Sequence, residues 1–301
     1  MHLPLPSAVS ARTARKPRAL ALCARLAALA LAALLGGCAA APGSPLPSHA
    51  PWPDRLQSLL PADVLLLLGE QHDASDHQRL QREAVLWLAE RGQLAALVVE
   101  MAERGHSTAG LPRSAPDAQA QTALAWQESA WPWTAYGPVV MAAVAAGVPV
   151  LGGNLPRSQM RAAMADAAWD GHLPAAALSR QYAALREGHC GLLPESQIGP
   201  MARIQIARDA AMAQTAREAM RPGQAVLLVA GSGHVLRSIG VPTHWSANIK
   251  SKVVVAQAGK AQTATTLIAK DADAVVETPA LPPRDACAEL RQQWQRPAAA
   301  R

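Results

Sequence analysis

One segment constrains the fold of this chain more than any other: an unbroken apolar run at residues 64–68 that passes directly into Gly69-Glu70-Gln71-His72. A short apolar run bounded by turn residues is typical of a buried strand. A carboxylate and an imidazole at the end of such a strand are costly to desolvate unless they are paired or bind a ligand. We therefore expect the chemistry of the protein to lie here, with His77 on the helix that follows.

Residues 1–37 have the pattern of a lipoprotein signal peptide. Four basic residues precede a small apolar run at residues 19–35, which ends in Leu-Gly-Gly-Cys. This order of basic, apolar and small residues is typical of an export signal. The ending resembles a bacterial lipobox, so Cys38 is the predicted lipidated residue, bearing palmitate or a similar acyl chain. Ala39 at the next position predicts an outer-membrane lipoprotein facing the periplasm, with the cell surface as the alternative.

The remaining chain is expected to divide into three parts. Residues 38–53 predict the lipidated cysteine and a flexible tether rich in Ala, Pro and Ser. Residues 54–279 are long enough for one α/β domain with a full core. The Pro- and Ala-rich residues 280–301 predict a C-terminal tail.

The net charge of +6 belongs mostly to the signal peptide. Removing its five basic residues from the 28 Lys and Arg leaves 23, against 22 Asp and Glu. Because no basic stripe survives in the mature part, we expect no nucleic-acid partner. Beyond the signal peptide, no stretch is long and apolar enough to span a bilayer, so the lipid anchor is the expected membrane contact.

Two of the four cysteines, Cys190 and Cys287, lie in the predicted mature chain apart from the lipid site. In an oxidising compartment two such thiols can pair. The sequence leaves open whether they form a disulfide or stay as two buried thiols.

The apolar runs predict five strands separated for the most part by helices. The strands are predicted at residues 64–68, 97–99, 148–151, 225–230 and 252–257. Helices are predicted after the first strand, at residues 138–146, and in a helical section before the fourth strand at residues 157–168, 174–186 and 200–220. The alternation favours an α/β fold with a mostly parallel central sheet covered on both faces.

Polar groups follow the predicted strands at one end of the sheet, where ligands gather in parallel sheets. Glu70, His72, Glu100 and His234 are therefore candidate catalytic residues, as a general base and its orienting partners. Glu70, His72 and His234 could instead bind a divalent metal. Helix capping is the alternative explanation for Glu70.

Four of the ten aromatic residues lie within eleven positions, at Trp126, Trp131, Trp133 and Tyr136. Flat aromatic faces suit a planar apolar ligand. Packing of these rings against a loop is the alternative.

Several segments spread over residues 60–242 resemble the ChaN-like family of haem-binding uptake lipoproteins, within the Tiki and erythromycin-esterase-like superfamily. The segments are Gly69-Glu70-Gln71-His72, His77 and Gln81; Val98-Val99-Glu100-Met101; Trp133, Tyr136 and Pro138; Asn154-Leu155; His189-Cys190-Gly191; Gln205, Arg208-Asp209 and Met212-Ala213; and Gly233-His234-Val235 with Gly240-Val241-Pro242. The resemblance implies a three-layer α/β/α fold and a role in iron acquisition. A characterised member binds haem pairs stacked between two subunits, with tyrosine as the iron ligand, whereas similar Glu and His positions serve hydrolysis elsewhere in the superfamily.

The resemblance also implies a set of haem-binding residues. Tyr136, in its Trp-x-x-Tyr-x-Pro context, is the first choice as iron ligand, and Tyr182 is the second. Trp133 and His77 are the other expected contacts of the cofactor.

Three functions are compatible with the sequence. The leading one is an outer-membrane-anchored haem-binding lipoprotein for haem or iron uptake, with a homodimer on haem binding and the haem-uptake machinery as further partners. The alternative is a metal-dependent or acid–base hydrolase that uses the Glu and His cluster at the strand ends. A lipoprotein scaffold with a vestigial site is the third.

Overall fold

The computed structural model of the protein describes residues 51–60, 64–260 and 270–295. The predicted signal peptide, Cys38 and most of the predicted tether lie outside the described residues. The described part of the chain holds six strands in one sheet, and every neighbouring pair is parallel. The strands are β1 (Leu65–Glu70), β2 (Leu94–Glu103), β3 (Val150–Asn154), β4 (Ala225–Gly231), β5 (Ser251–Ala258) and β6 (Ala274–Thr278), in the order β3-β2-β4-β1-β5-β6.

Helices connect these strands. They are α1 (Trp52–Leu59), α2 (Ser75–Glu90), α3 (Asp117–Ala123), α4 (Trp133–Ala146), α5 (Arg157–Ala165), α6 (Ala175–Gly188), α7 (Glu195–Glu218), α8 (Ser232–Val235) and α9 (Ala286–Gln295), with short 3-10 helices at Ala167–Gly171 and Val241–His244. No helix among these described residues is long and apolar enough to cross a membrane.

The sheet is buried on both faces, because alternate residues of its strands enter two separate cores. Leu66 and Leu97 belong to the core that contains residues of α2 and α4. Leu67 and Val98 belong to the core that contains residues of α7 and α8. A continuous apolar strand suits this double burial, and the predicted three-layer α/β/α fold is confirmed.

The five predicted strands are all present, and a sixth was not predicted. Strand β6 pairs with β5 at the edge of the sheet. Its sequence, Ala-Val-Val-Glu-Thr, is short and ends in polar residues, so it carries little of the apolar signal that marks the other strands.

Two helices begin earlier than the sequence predicted. Helix α4 includes Pro138 in its interior, and α7 likewise includes Pro200. Because proline favours the first turn of a helix, the sequence analysis placed both helix starts at these prolines, which is too late. The Glu128 carboxylate caps the start of α4 by accepting from the backbone N–H of Trp133, at 3.0 Å for the nearer oxygen.

Residues 286–295, in the segment predicted as a tail, form α9.

The N-terminal part of α7 packs with α6 around Tyr182. The side chain packs against a small apolar core of Leu185, Ile198 and Ala202. Fourteen residues of α7 precede Asp209, which corresponds to about 20 Å of helix at 1.5 Å per residue.

Candidate functional site

The carboxyl ends of β1, β2 and β4 bring the predicted polar residues together. Glu70 is in register with Gly231 on the neighbouring strand. The backbone N–H of Gly231 donates to Glu100 Oε2 at 2.8 Å, and His234 Nε2 lies 3.5 Å from Glu100 Oε1. We call Glu70, His72, Glu100, Tyr136, Asp209 and His234 the rim cluster.

Glu70 is buried, and each of its oxygens accepts two hydrogen bonds. Oε1 accepts from the Tyr136 hydroxyl at 2.6 Å and from His72 Nδ1–H at 2.7 Å. Oε2 accepts from the side-chain amides of Gln78, at 2.8 Å, and Gln81. Four donors occupy the lone-pair directions of a carboxylate and offset its desolvation. The side chain is thereby fixed in one position.

Helix α2 supplies both amides, since positions 78 and 81 lie on one face of it. The helix begins after Ala74 without a side-chain cap. Glu70 does not cap this helix either, because its oxygens accept from side chains.

His72 is the member of the rim cluster that reaches solvent, with 42% of its side chain exposed. Its ring contacts Trp131 edge-on, with 4.9 Å between ring centroids. Burial alone would lower the pKa of His72, but its hydrogen bond to Glu70 and the charge of Glu100 raise it above the ordinary value. Because Glu70 accepts from Nδ1–H, the neutral ring carries its lone pair on Nε2.

His234 lies between two buried carboxylates. Its Nδ1–H donates to Asp209 Oδ1 at 2.6 Å, and Nε2 faces Glu100. Burial alone would lower the pKa of His234, but the charges of Glu100 and Asp209 raise it to about 9. Burial raises the pKa of Asp209 to about 6. His234 is therefore an imidazolium at neutral pH.

Glu100 remains ionised although it is buried. Burial opposes its charge, but His234, His72, the Gly231 N–H and Arg208 together lower its pKa. Arg208 Nη1 lies 4.0 Å from Glu100 Oε1. Glu70 and Glu100 are thus held differently, Glu70 by hydrogen bonds and Glu100 mainly by charges.

Glycines permit the close approach of the strand ends. A Cβ at Gly69 would lie 2.5 Å from Val235 Cγ2, so a side chain there would displace α8. Because α8 carries His234, the glycine of the Gly69-Glu70-Gln71-His72 segment helps to position the site.

The side chains of the predicted aromatic surface pack against one another. Trp126, Trp131 and Tyr136 contact one another at an angle, with 5.8 Å between the centroids of Trp131 and Tyr136. Trp133 is 9% exposed and donates from Nε1 to Asp117 Oδ2 at 2.7 Å. Its flat face is not open to a planar ligand.

No three or more His, Cys, Asp or Glu side chains in the described ranges are arranged to hold a metal ion. Glu70, His72 and His234 had been predicted as metal ligands. A metal at Glu70 would have to displace one of the four donors on its oxygens, and His234 Nδ1 is engaged by Asp209.

The remaining predicted residues lie outside the centre of the rim cluster. His77 is fully buried; its Nδ1 accepts from the backbone N–H of Gln71 at 3.0 Å, and its Nε2 donates to Thr278 Oγ1 at 3.0 Å. Burial lowers the pKa of His77, so it is a neutral residue that ties α2 to β6. Cys190 and Cys287 form a disulfide with their Cα atoms 5.6 Å apart, joining the end of α6 to α9.

The two tyrosines have different surroundings. Tyr136 is 3% exposed, and burial together with the Glu70 carboxylate strongly raises its pKa. As iron ligand, its oxygen would have to leave Glu70 and lose its proton against both effects. Tyr182 is half-buried on α6, and Arg186 and Arg203 are its charged neighbours.

Comparison with known families gives one match, which spans most of the folded part. The model of the family described as "Haem-binding uptake, Tiki superfamily, ChaN" matches residues 56–244. The chain belongs to this family.

Solved structures show the same fold in a ChaN protein. The structure titled "Cofacial heme binding to ChaN of Campylobacter jejuni" matches with a TM-score of 0.58 and 24% identity, over 74% of this chain and 89% of that chain. A protein from Bacillus cereus matches with a TM-score of 0.39 and 12% identity, over 72% of each chain. No curated protein matches.

Sequence reasoning gave no role in the site to three of its residues, although Arg208-Asp209 is among the segments that resemble the family. Asp209, Arg208 and Gln78 all lie inside long helices, where no turn or strand end marks them. The adjacent charges Arg208-Asp209 on an otherwise apolar face of α7 were the available signal, since buried Asp209 interrupts a run of small apolar residues.

Proposed function

We propose that this protein is a haem-binding lipoprotein, anchored to the outer membrane, that takes part in haem or iron uptake. The observation that carries the proposal is the match of residues 56–244 to the haem-binding uptake family. The fold shared with ChaN of Campylobacter jejuni, which is described as binding haem cofacially, supports it. The lipobox-like sequence before Cys38 supports the anchor.

Tyr182 is the better candidate for the iron ligand. Ferric haem accepts an anionic tyrosinate as axial ligand. The Tyr182 hydroxyl has no hydrogen-bond partner within the described residues, so iron would displace none. Arg186 and Arg203 are its charged neighbours.

These arginines also suit the carboxylate groups of haem. Arg186 pairs with Glu195, and Arg203 pairs with Asp170. The carboxylate partners are 74% and 39% exposed at their side chains, so a haem propionate can compete with them from solvent. A second copy of the chain that covers the exposed face of α6 would shield the haem, which favours a homodimer on haem binding. The haem-uptake machinery is the expected partner for transfer.

A hemin titration of the full chain in mild detergent tests the proposal. We expect a Soret shift and the visible charge-transfer band of a tyrosinate-bound ferric haem. Tyr182→Phe should remove that band and weaken binding at least about tenfold. Tyr136→Phe, the matched control, should keep both.

The outcomes separate the function from the ligand. A wild-type chain that does not shift the Soret band contradicts haem binding. A charge-transfer band that survives Tyr182→Phe contradicts the ligand only. Sedimentation with and without hemin tests the homodimer, and incorporation of labelled palmitate that is lost in Cys38→Ser tests the anchor.

A further inference from the structure

A cavity of about 550 Å³ lies beside the edge strand β3, away from the rim cluster. One wall is the segment of residues 104–109 that follows β2, and the other is the C-terminal part of α7. Residues of β2 and β3 form its floor. This volume lies within the usual range of small-molecule sites, about 300–1,000 Å³. The cavity is therefore large enough for a small organic ligand.

Small residues create this space. Ala211, Thr215 and Ala219 all line the cavity, and their spacing of four places them on one side of α7. The Thr215 hydroxyl donates to the backbone carbonyl of Ala211 at 3.1 Å, so its hydrogen is already engaged. Ala96 on β2 is 1% exposed and also lines the cavity. The inner surface is therefore buried and largely apolar, which suits the hydrocarbon part of a ligand.

The wall opposite α7 is fixed to the edge strand by backbone hydrogen bonds. The Gly152 N–H donates to the His106 carbonyl at 2.9 Å, and the Thr108 N–H donates to the Val150 carbonyl at 2.9 Å. A Cβ at Gly152 would overlap the backbone carbonyl of Glu103, so a glycine is needed for this close approach. The shape of the cavity is therefore set by the fold before a ligand binds.

An ion pair joins the two walls at the mouth of the cavity. Arg104 Nη2 lies 3.2 Å from Glu218 Oε1, and the side chains are 36% and 55% exposed. The other nitrogens of Arg104 have no acceptor within the described residues. An exposed pair of this kind contributes little to stability, so a carboxylate from solution can compete with Glu218 for the guanidinium. Glu218 would keep the side-chain amide of Gln214 as donor, at 2.8 Å.

Arg221 adds a second positive charge to the lining. Its Nη1 donates to the backbone carbonyls of Glu218 and Met220, at 3.2 and 2.7 Å. These bonds offset the partial negative charge at the C-terminal end of α7. The lining thus carries two guanidinium groups and one carboxylate, which is complementary to a ligand with one negative charge.

We propose that this cavity binds a carboxylate with an unbranched apolar chain, of the class of medium-chain fatty-acid anions. The chain lies against the buried alanines, and the carboxylate accepts from Arg104 at the mouth. An apolar interior below a single charged edge favours such an amphipathic monoanion over a polyanion. The site contains neither Tyr182 nor any member of the rim cluster, so it is independent of the proposed haem binding.

Isothermal titration calorimetry of octanoate with the full chain in mild detergent tests the proposal. Injection of octanoate into detergent alone is the blank. We expect saturable binding of one octanoate per chain. Arg104→Gln removes the charge that meets the carboxylate and should raise Kd at least about tenfold. Arg161→Gln, at an exposed position of α5 outside the cavity, is the matched control and should leave Kd unchanged.

Two further variants test the position of the ligand. Ala95→Leu, at a half-buried residue of β2 that lines the cavity, occupies part of the space and should also raise Kd at least about tenfold. Tyr182→Phe should bind octanoate as the wild type does, because Tyr182 lies outside the cavity. Circular dichroism checks that each variant is folded.

Octanoate binding that weakens in Arg104→Gln and Ala95→Leu, and not in Arg161→Gln, supports the proposal. A wild-type chain without saturable binding overturns it. A folded Arg104→Gln chain with wild-type affinity would show that the carboxylate is held elsewhere. Loss of octanoate binding in Tyr182→Phe would place the fatty acid at the residues proposed for haem and would likewise overturn the assignment.

Discussion

The two tyrosines of the chain lie in opposite settings. One is in the rim cluster, and the other is in the α6 surface, which we define as Tyr182, Arg186 and Arg203. At the rim, Tyr136 is buried and donates to a carboxylate that three other side chains also hold. On α6, Tyr182 is half-buried, with arginines as its charged neighbours. The Tyr136 hydroxyl is held by a hydrogen bond to a carboxylate, whereas the Tyr182 hydroxyl has no hydrogen-bond partner within the described residues.

The comparison indicates which tyrosine can bind iron and which holds the fold together. Four protein donors hold the Glu70 carboxylate, and the Tyr136 hydroxyl is one of them, so this carboxylate and phenol are positioned before any ligand arrives. A disulfide lies at the end of α6. The Tyr182 hydroxyl on this helix has no hydrogen-bond partner among the described residues. The Glu70–Tyr136 pair is held in a fixed geometry. The Tyr182 oxygen, in contrast, can bind iron without losing a hydrogen bond.

The largest expected effect is at Glu70. Glu70→Gln replaces an acceptor of two hydrogen bonds with a donor, so buried donors lose their partner. We expect the free energy of unfolding to fall by about 3–5 kcal/mol, measured by urea denaturation. Glu83→Gln, at an exposed pair with Arg79, is the control and should cost under about 0.5 kcal/mol. Equal effects of the two substitutions would contradict the role given to the rim network.

The pH dependence of stability distinguishes the rim from the α6 surface. The pKa of His234 is raised from an ordinary 6.5 to about 9, so the folded state binds its proton more tightly than the unfolded state. The stabilisation is fully present below about pH 6.5 and is lost as the pH rises to about 9. Its upper limit is about 3 kcal/mol.

Asp209→Asn is the matched control for this loss. It removes the carboxylate that accepts from His234 Nδ1–H, so the pKa of His234 should fall. We expect urea denaturation at pH 6.5 and pH 9 to show a smaller difference in this variant than in the wild type. NMR titration of the His234 ring measures the pKa directly. A ring that titrates near 6.5 in the wild type would show that the two carboxylates do not raise its pKa.

A smaller effect is expected at the two tyrosines. Tyr136→Phe removes a hydrogen bond to a buried carboxylate and should lower the free energy of unfolding by about 1.5–3 kcal/mol. Tyr182→Phe removes an unbonded hydroxyl and should cost under about 0.5 kcal/mol. Thermal or urea unfolding of the pair measures both. The reverse order would mean that the two hydroxyls have been assigned the wrong surroundings.

The sequence was sufficient to predict the parallel sheet and most of its strands. The apolar runs predicted β1 to β5, and the parallel arrangement predicted that Glu70, Glu100 and His234 would meet at one edge of the sheet. Strand β6 was missed because its five residues lack a continuous apolar pattern. Prolines misplaced the starts of α4 and α7, since tertiary packing and capping outweighed their preference for a first turn.

The inner contacts of the site could not be predicted in the same way. Asp209 and Gln78 reach the rim from the middle of helices, and only the packing of α2 and α7 on opposite faces of the sheet brings them there. The surroundings of Tyr136 and Tyr182 also depend on tertiary contacts. Sequence context favoured Tyr136 as iron ligand, although its oxygen is engaged by Glu70.

One crossed measurement tests most directly whether the two tyrosines have separate roles. Hemin affinity and the free energy of unfolding are measured on the same preparations of wild type, Tyr182→Phe and Tyr136→Phe. We predict that Tyr182→Phe loses tight hemin binding and keeps its stability, while Tyr136→Phe loses stability and keeps hemin binding. A Tyr182→Phe chain that binds hemin as tightly as the wild type, or a folded Tyr136→Phe chain that no longer binds it, would contradict the account.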